Sequence, residues 1–183
     1  LTDDRVLGDA SAAADATGAV TVGVLGFCMG GMYTLKVAAS GRFDRHCAFY
    51  PQIRVPELWR GSGQGEPLEA LEAVDASSVL AIIGCDDSYT PPDDVDGLEA
   101  TGVTVVRYPG ADHGFVHDPT RPAHRAEDAA DAWRRVVAWL EAFLMGESFA
   151  DSETRLFVVG PLYVMLATVQ GFLIYIDTVR EKN

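Results

Sequence analysis

AVTVGVLGFCMGG, at residues 19–31, sets the architecture expected for the whole chain. Its first seven residues are rich in valine, as is typical of a strand buried inside a parallel sheet. Residues 29–39 then predict a helix that ends at Ser40-Gly41. Between them Cys28 stands at the centre of a Gly-x-nucleophile-x-Gly turn, where only small neighbours avoid the adjacent backbone. The helix N-terminus after this turn would stabilise a thiolate, which is the reactive form of cysteine.

Later apolar runs have the same character as the first one. Short strands are predicted at residues 47–50 (CAFY), 79–84 (VLAIIG) and 103–108 (VTVVRY). A short acidic helix is predicted near residues 66–74, and a long amphipathic one over residues 123–144. Strands that alternate with helices predict an α/β fold, with a mostly parallel sheet and flanking helices. In such sheets ligands bind at the carboxyl ends of the strands.

Two polar turns follow the third and fourth predicted strands at those carboxyl ends. The first reads GCDDSYTP at residues 84–91, and the second reads YPGADHGF at residues 108–115. The order of nucleophile, acid and histidine along the chain is the one used by α/β-hydrolase sites. His113 could take the proton of Cys28 as a general base, while an acidic residue holds its tautomer. From the residues alone, either Asp86 or Asp87 could be that acid.

The motifs GFCMGG, GCDDSYTP and YPGADHGF resemble the dienelactone hydrolase (carboxymethylenebutenolidase) family of α/β-hydrolases over about residues 7–144. The resemblance implies a hydrolase that cleaves a small ester or lactone through a cysteine acyl-enzyme intermediate, with Cys28 as nucleophile and His113 as base. The family pattern G-x-x-D-x-x-x-P, counted over residues 84–91, selects Asp87 over Asp86 as the acid.

The same resemblance extends to the surroundings of the nucleophile. It places the backbone N–H of Met29 in the oxyanion hole, and it makes Phe27 and His117 weaker candidates for substrate binding. His117 stands where we expect the arginine that helps dienelactone hydrolase bind the substrate carboxylate, so a neutral ester or lactone fits equally well. No metal or organic cofactor is implied.

The residues before Cys28 depart from the family pattern. Those 27 residues show a single strand, so we expect the family's N-terminal strands, the loop with the second oxyanion N–H and the glutamate beside the thiol to be absent. Loss of one oxyanion donor typically costs about two to three powers of ten in rate. The alternative function is therefore a truncated, catalytically incompetent or membrane-tethered hydrolase-like binding module.

The C-terminal part differs in composition from the rest. We predict an α/β-hydrolase-like domain at residues 1–146 and an apolar tail at 147–183, with a possible membrane segment at 156–176. Gly160-Pro161, Thr168 and Gln170 weaken that membrane assignment. The flanking charges would place the C-terminus in the cytoplasm, so the main domain would need an export signal, and none is visible. We therefore favour a cytoplasmic protein over one anchored by its tail.

Composition excludes several other classes. With 48% hydrophobic and 22% charged residues the chain is an ordinary folded protein, and its net charge of −13 excludes a nucleic-acid partner. Three cysteines indicate a reducing compartment or one chemically used thiol, and we expect Cys47 and Cys85 to be buried. Tyr50 and Trp59 could line a pocket or belong to the core. The oligomeric state stays open.

Overall fold

Four parallel strands form the part of the sheet that carries the predicted motifs. The computed structural model describes residues 2–116, 118–146, 165–167 and 172–175. The strands are β1 (Gly23–Phe27), β2 (Arg45–Phe49), β3 (Val79–Gly84) and β4 (Thr104–Tyr108), in the spatial order β4-β3-β2-β1. Because neighbouring strands pair in parallel, their carboxyl ends lie along one edge of the sheet. The structure thus confirms the predicted α/β architecture.

Helices cover both faces of this sheet, since successive side chains of a strand point to opposite faces. The helices are α1 (Asp3–Ala16), α2 (Met29–Val37), α3 (Pro67–Glu72), α4 (Pro92–Ala100) and α5 (Ala126–Gly146). Helix α5 packs on the face that carries Phe49 and Ile82. Helices α2, α3 and α4 pack on the face that carries Ala81 and Ile83. Each fully buried Leu, Ile or Phe side chain contributes about 1.5–3 kcal/mol to folding.

The structure contains two helices that the sequence did not predict, and it shifts one predicted strand. Helix α1 precedes the first predicted strand, and helix α4 begins at Pro92. The first strand was predicted at residues 19–25, but it begins four residues later and spans Gly23–Phe27. The turns that carry Cys28, Asp87 and His113 still follow the carboxyl ends of three different strands, as predicted.

Two further strands lie within the predicted apolar tail. These are β5 (Met165–Ala167) and β6 (Phe172–Tyr175), and β6 pairs antiparallel with β1. Both fall inside the stretch 156–176, where a membrane segment was considered, so the described part of that stretch is strand and not helix. Among the residues that the structure describes, no helix has the length and apolarity to cross a bilayer. The division between residues 146 and 147 stays a prediction.

Candidate active site

Cys28 lies in a strained turn between β1 and α2. Its φ of 55° and ψ of −115° are unusual for a residue with a side chain. The turn is fixed by a hydrogen bond from the Cys28 N–H to the Phe49 carbonyl (3.0 Å) and another from Met32 N–H to the Cys28 carbonyl (3.0 Å). A Cβ on Gly26 would lie 2.2 Å from the Gly30 carbonyl oxygen, so no side chain fits there. The predicted requirement for a small residue at this position thus has a direct steric cause.

The acid turn after β3 and the histidine turn after β4 are held together by their backbones. The Cys85 N–H donates to the Tyr108 carbonyl (2.9 Å), and the Asp86 N–H donates to the Ala111 carbonyl (2.9 Å). A Cβ on Gly84 would lie 2.4 Å from that same Ala111 oxygen, so glycine is needed for the two turns to approach. This close packing fixes the relative position of the side chains that the turns carry.

The structure brings Cys28, Asp87 and His113 together, with His113 between the other two. The Asp87 side chain is fully buried, and its Oδ2 accepts a 2.7 Å hydrogen bond from His113 Nδ1. Its other oxygen accepts from the Tyr89 N–H at 2.8 Å, so both oxygens are held. Since Nδ1 is occupied, Nε2 is the ring nitrogen that can interact with Cys28, and the interaction of the two groups shifts the pKa of each. Asp86 is exposed, so Asp87 is the carboxylate that orients the imidazole.

The electrostatics of this line favour a thiolate beside an imidazolium. The hydrogen bond from His113 lowers the pKa of Cys28 below its ordinary value, although burial opposes it. Burial lowers the pKa of His113, but its hydrogen bonds to Asp87 and Cys28 outweigh burial and raise it to about 9. The Met29 N–H also hydrogen-bonds to the Cys28 sulfur and contributes to lowering its pKa.

Three residues that the sequence did not single out as site residues surround this line. The Tyr50 ring lies 4.8 Å from the His113 ring, and the Tyr89 ring lies 5.0 Å from it on centroid distance. The Gln52 side chain hydrogen-bonds to Cys28. Only Tyr50 was named from the sequence, as pocket or core, and it is a buried residue in contact with His113. The signal that could have found Tyr50 and Gln52 was their position just after β2, because the ends of all four parallel strands meet at this edge of the sheet.

The other predicted residues divide into those that the structure places and one that it does not. The Phe27 ring is half-buried and stacks on Phe49 at 4.8 Å, so its role toward substrate stays a prediction. His117 lies outside the described residues. Cys47 is buried as predicted, but the prediction for Cys85 is wrong, because its side chain is exposed beyond the end of β3.

Within the described part of the chain, no group of His, Cys, Asp or Glu side chains could hold a metal ion.

Sequence comparison connects this geometry to known proteins. The model of the dienelactone hydrolase family matches residues 2–144. A carboxymethylenebutenolidase of Rhodococcus opacus is 36% identical over 137 residues, which cover 68% of this chain and 51% of that protein. The chain thus spans about half the length of the curated relatives that it matches.

Solved structures show the same fold. A crystal structure assigned as a dienelactone hydrolase from Klebsiella pneumoniae superposes with a TM-score of 0.68 at 29% identity, covering 77% of this chain and 62% of that one. A monoacylglycerol lipase of Paleococcus ferrophilus superposes with a TM-score of 0.57 at 14% identity, covering 78% and 76%. The second likeness concerns the α/β-hydrolase fold alone.

Proposed function

The chain belongs to the dienelactone hydrolase family, and from this premise we propose that it hydrolyses a small ester or lactone through an acyl thioester on Cys28. The observation that carries the proposal is the line from Cys28 through His113 to the buried Asp87. A thiol that served only as a redox sensor would not need an imidazole oriented by a carboxylate. The Met29 N–H beside the sulfur supplies a donor for an oxyanion.

The first half-reaction forms the thioester. The Cys28 thiolate attacks the carbonyl carbon, a C–S bond forms, and the carbonyl electron pair moves to the oxygen, which accepts a hydrogen bond from the Met29 N–H. When this intermediate collapses, the bond between the carbonyl carbon and the alcohol oxygen breaks. His113 gives its Nε2 proton to that leaving oxygen, and Asp87 keeps the Nδ1 proton in place. In a lactone the released hydroxyl stays on the acyl chain.

The second half-reaction regenerates the thiolate. Neutral His113 takes a proton from a water molecule whose oxygen attacks the thioester carbonyl carbon. The C–S bond then breaks, the electron pair returns to the Cys28 sulfur, and the acid product leaves. The imidazolium and thiolate of the starting state are restored, so the cycle consumes only the ester and water.

Turnover measurements test this proposal. We expect the chain to hydrolyse 4-nitrophenyl acetate and dihydrocoumarin, and Cys28→Ala to lower kcat by a factor of about a thousand or more. Cys85→Ala removes the other thiol near the site and should leave kcat unchanged, because the Cys85 side chain is exposed to solvent beyond the end of β3. Equal turnover by the wild type and Cys28→Ala would refute the cysteine mechanism.

A second candidate function is a hydrolase-like binding module that is catalytically incompetent. It is favoured by the observation that the match covers only 51% of the Rhodococcus relative, which therefore has segments outside the match. The same turnover experiment separates the two candidates. A folded chain whose Cys28 accelerates the hydrolysis of neither substrate would favour the binding module.

A further inference from the structure

A cleft of about 420 Å³ is lined by two residues that also interact with Cys28 or His113. Gln52 and Tyr89 belong to both places: they line the cleft, and they also contact the site. Gln52 hydrogen-bonds to the Cys28 sulfur, while the Tyr89 ring lies 5.0 Å from the His113 ring. A substrate whose carbonyl carbon reaches the sulfur can therefore place its remaining part in this cleft. The volume lies within the range of small-molecule binding pockets.

The walls of the cleft are mainly apolar and aromatic. Its apolar and aromatic lining residues are Val55, Pro56, Trp59, Tyr89 and Pro91. The two rings are exposed, at 37% for Trp59 and 61% for Tyr89. Exposed aromatic rings beside a cavity offer stacking area to a flat ligand at little cost in conformational entropy.

The charged groups of the cleft neutralise one another. Arg54 Nε donates a 2.6 Å hydrogen bond to Asp94 Oδ1, and this bond raises the pKa of Arg54. Glu66 acts on Arg54 in the same direction, and it also lies 3.6 Å from the guanidinium of Arg60. A carboxylate entering the cleft would have to compete with Asp94 for Arg54. The two charged residues in the described lining of the cleft, Arg54 and Asp94, are thus paired with each other.

We propose that this cleft binds an uncharged ring of the substrate, and that the Arg54–Asp94 pair discriminates against rings that carry a carboxylate. The inference rests on the proposed function and adds a substrate class to it: neutral aryl or cycloalkyl esters and lactones. Its two parts have separate origins in the structure. Stacking on Trp59 and Tyr89 favours a substrate with a ring. The pairing of Arg54 with Asp94 disfavours a ring that carries a negative charge.

Binding to the cleft can be measured separately from hydrolysis by using amide analogues, because amides are hydrolysed far more slowly than esters. Acetanilide is an uncharged analogue of phenyl acetate, and 4-acetamidobenzoate differs from it by one carboxylate. We expect acetanilide to shift the indole N–H resonance of Trp59 in Cys28→Ala, and to bind at least about tenfold more tightly than 4-acetamidobenzoate. Equal affinities, or binding of acetanilide with no shift at Trp59, would overturn the inference.

Substitution of the ion pair tests the charge selection. Asp94→Asn should reduce the preference for acetanilide by about fivefold to tenfold, because Arg54 becomes free to meet the carboxylate. Asp96→Asn is the matched control on the same helix: it removes the same charge, but Asp96 pairs with Arg107 (2.7 Å) outside the cleft. Equal changes in both variants would show a long-range effect of net charge and would contradict the role of Asp94.

Kinetics separate this inference from the proposed function. The ratio of kcat/KM for phenyl acetate to that for 4-acetoxybenzoate should exceed about ten in the wild type and fall in Asp94→Asn. Trp59→Leu should lower kcat/KM for phenyl acetate about tenfold, whereas Leu58→Ala, at an exposed neighbour outside the lining, should not. Turnover of vinyl acetate, which has no ring, reports the proposed function alone. The inference fails and the proposed function stands if vinyl acetate is hydrolysed, phenyl acetate is not preferred over 4-acetoxybenzoate, and Trp59→Leu does not lower kcat/KM for phenyl acetate.

Discussion

Replacing Asp87 by asparagine removes the negative charge that faces His113 and keeps the size of the side chain at position 87. Asp87 is fully buried and holds His113 Nδ1 at 2.7 Å, so the substitution acts on the imidazole at close range. Asp86→Asn is the matched control, because it removes the same charge from the neighbouring exposed position. The pair of variants also separates the two carboxylates that the sequence left as alternatives.

The structure gives the size and the sign of the effect. The pKa of His113 rises from its ordinary 6.5 to about 9, a difference worth about 3 kcal/mol in favour of the imidazolium. Because the folded-state pKa is the higher one, this contribution to stability is fully present below pH 6.5. It is lost as the pH rises through about 9. Without the Asp87 charge, burial opposes the imidazolium and only Cys28 supports it, so the pKa should fall by about 1–2 units.

The assay is an NMR titration of the His113 ring, followed by urea unfolding at pH 6 and at pH 10. We expect Asp87→Asn to lower the free energy of unfolding at pH 6 by about 1–3 kcal/mol relative to Asp86→Asn, and by less at pH 10. The comparison is made between these variants because both keep Cys28, whose titration has the opposite sign. An unchanged pKa of His113 in Asp87→Asn, or the same fall in Asp86→Asn, would refute the reasoning.

Gly26→Ala should destabilise the fold by at least about 3 kcal/mol, because its Cβ would lie 2.2 Å from a backbone oxygen. Gly8→Ala is the control: its Cβ would meet open space on α1, so this variant should be neutral or more stable by up to about 1 kcal/mol. Thermal unfolding followed by circular dichroism measures both variants, and equal effects would contradict the steric argument. His113→Gln should move the alkylation of Cys28 by iodoacetamide to higher pH, because the strongest contact that lowers the thiol pKa is removed while burial still raises it. Alkylation of the exposed Cys85, followed in the same peptide digest, is the internal control, and an unchanged profile for Cys28 would show that His113 does not activate it.

The elements that could be predicted are those whose signal is local. The apolar runs of β2, β3 and β4 and the amphipathic α5 are visible as patterns, and so is the turn at Cys28. Helix α4 was missed because Pro91-Pro92 and the aspartates after it are also typical of a solvated loop. Proline in the first turn and acidic residues near the N-terminus are equally typical of a helix start. Helix α1 was missed because its alanines give only a weak apolar face.

The elements that could not be predicted depend on contacts between distant residues. Strand β6 pairs with β1 across about 150 residues of chain, and its apolar composition alone is equally compatible with a membrane segment. Gln52 and Tyr89 enter the site only because β1, β2 and β3 end at the same edge of the sheet. The pairing of Arg54 with Asp94 joins the segment after β2 to the start of α4, which no local pattern reveals.

The most direct test of a nucleophilic Cys28 is the intact mass of the protein after a brief reaction with 4-nitrophenyl acetate, quenched in acid. The proposed mechanism predicts the mass of one acetyl group on the wild type, located to Cys28 by digestion. It predicts the same adduct, accumulating more slowly, on Asp87→Asn, and none at this position on Cys28→Ala. Hydrolysis of the ester with the acetyl group located only on Cys85, or on no cysteine, would contradict it.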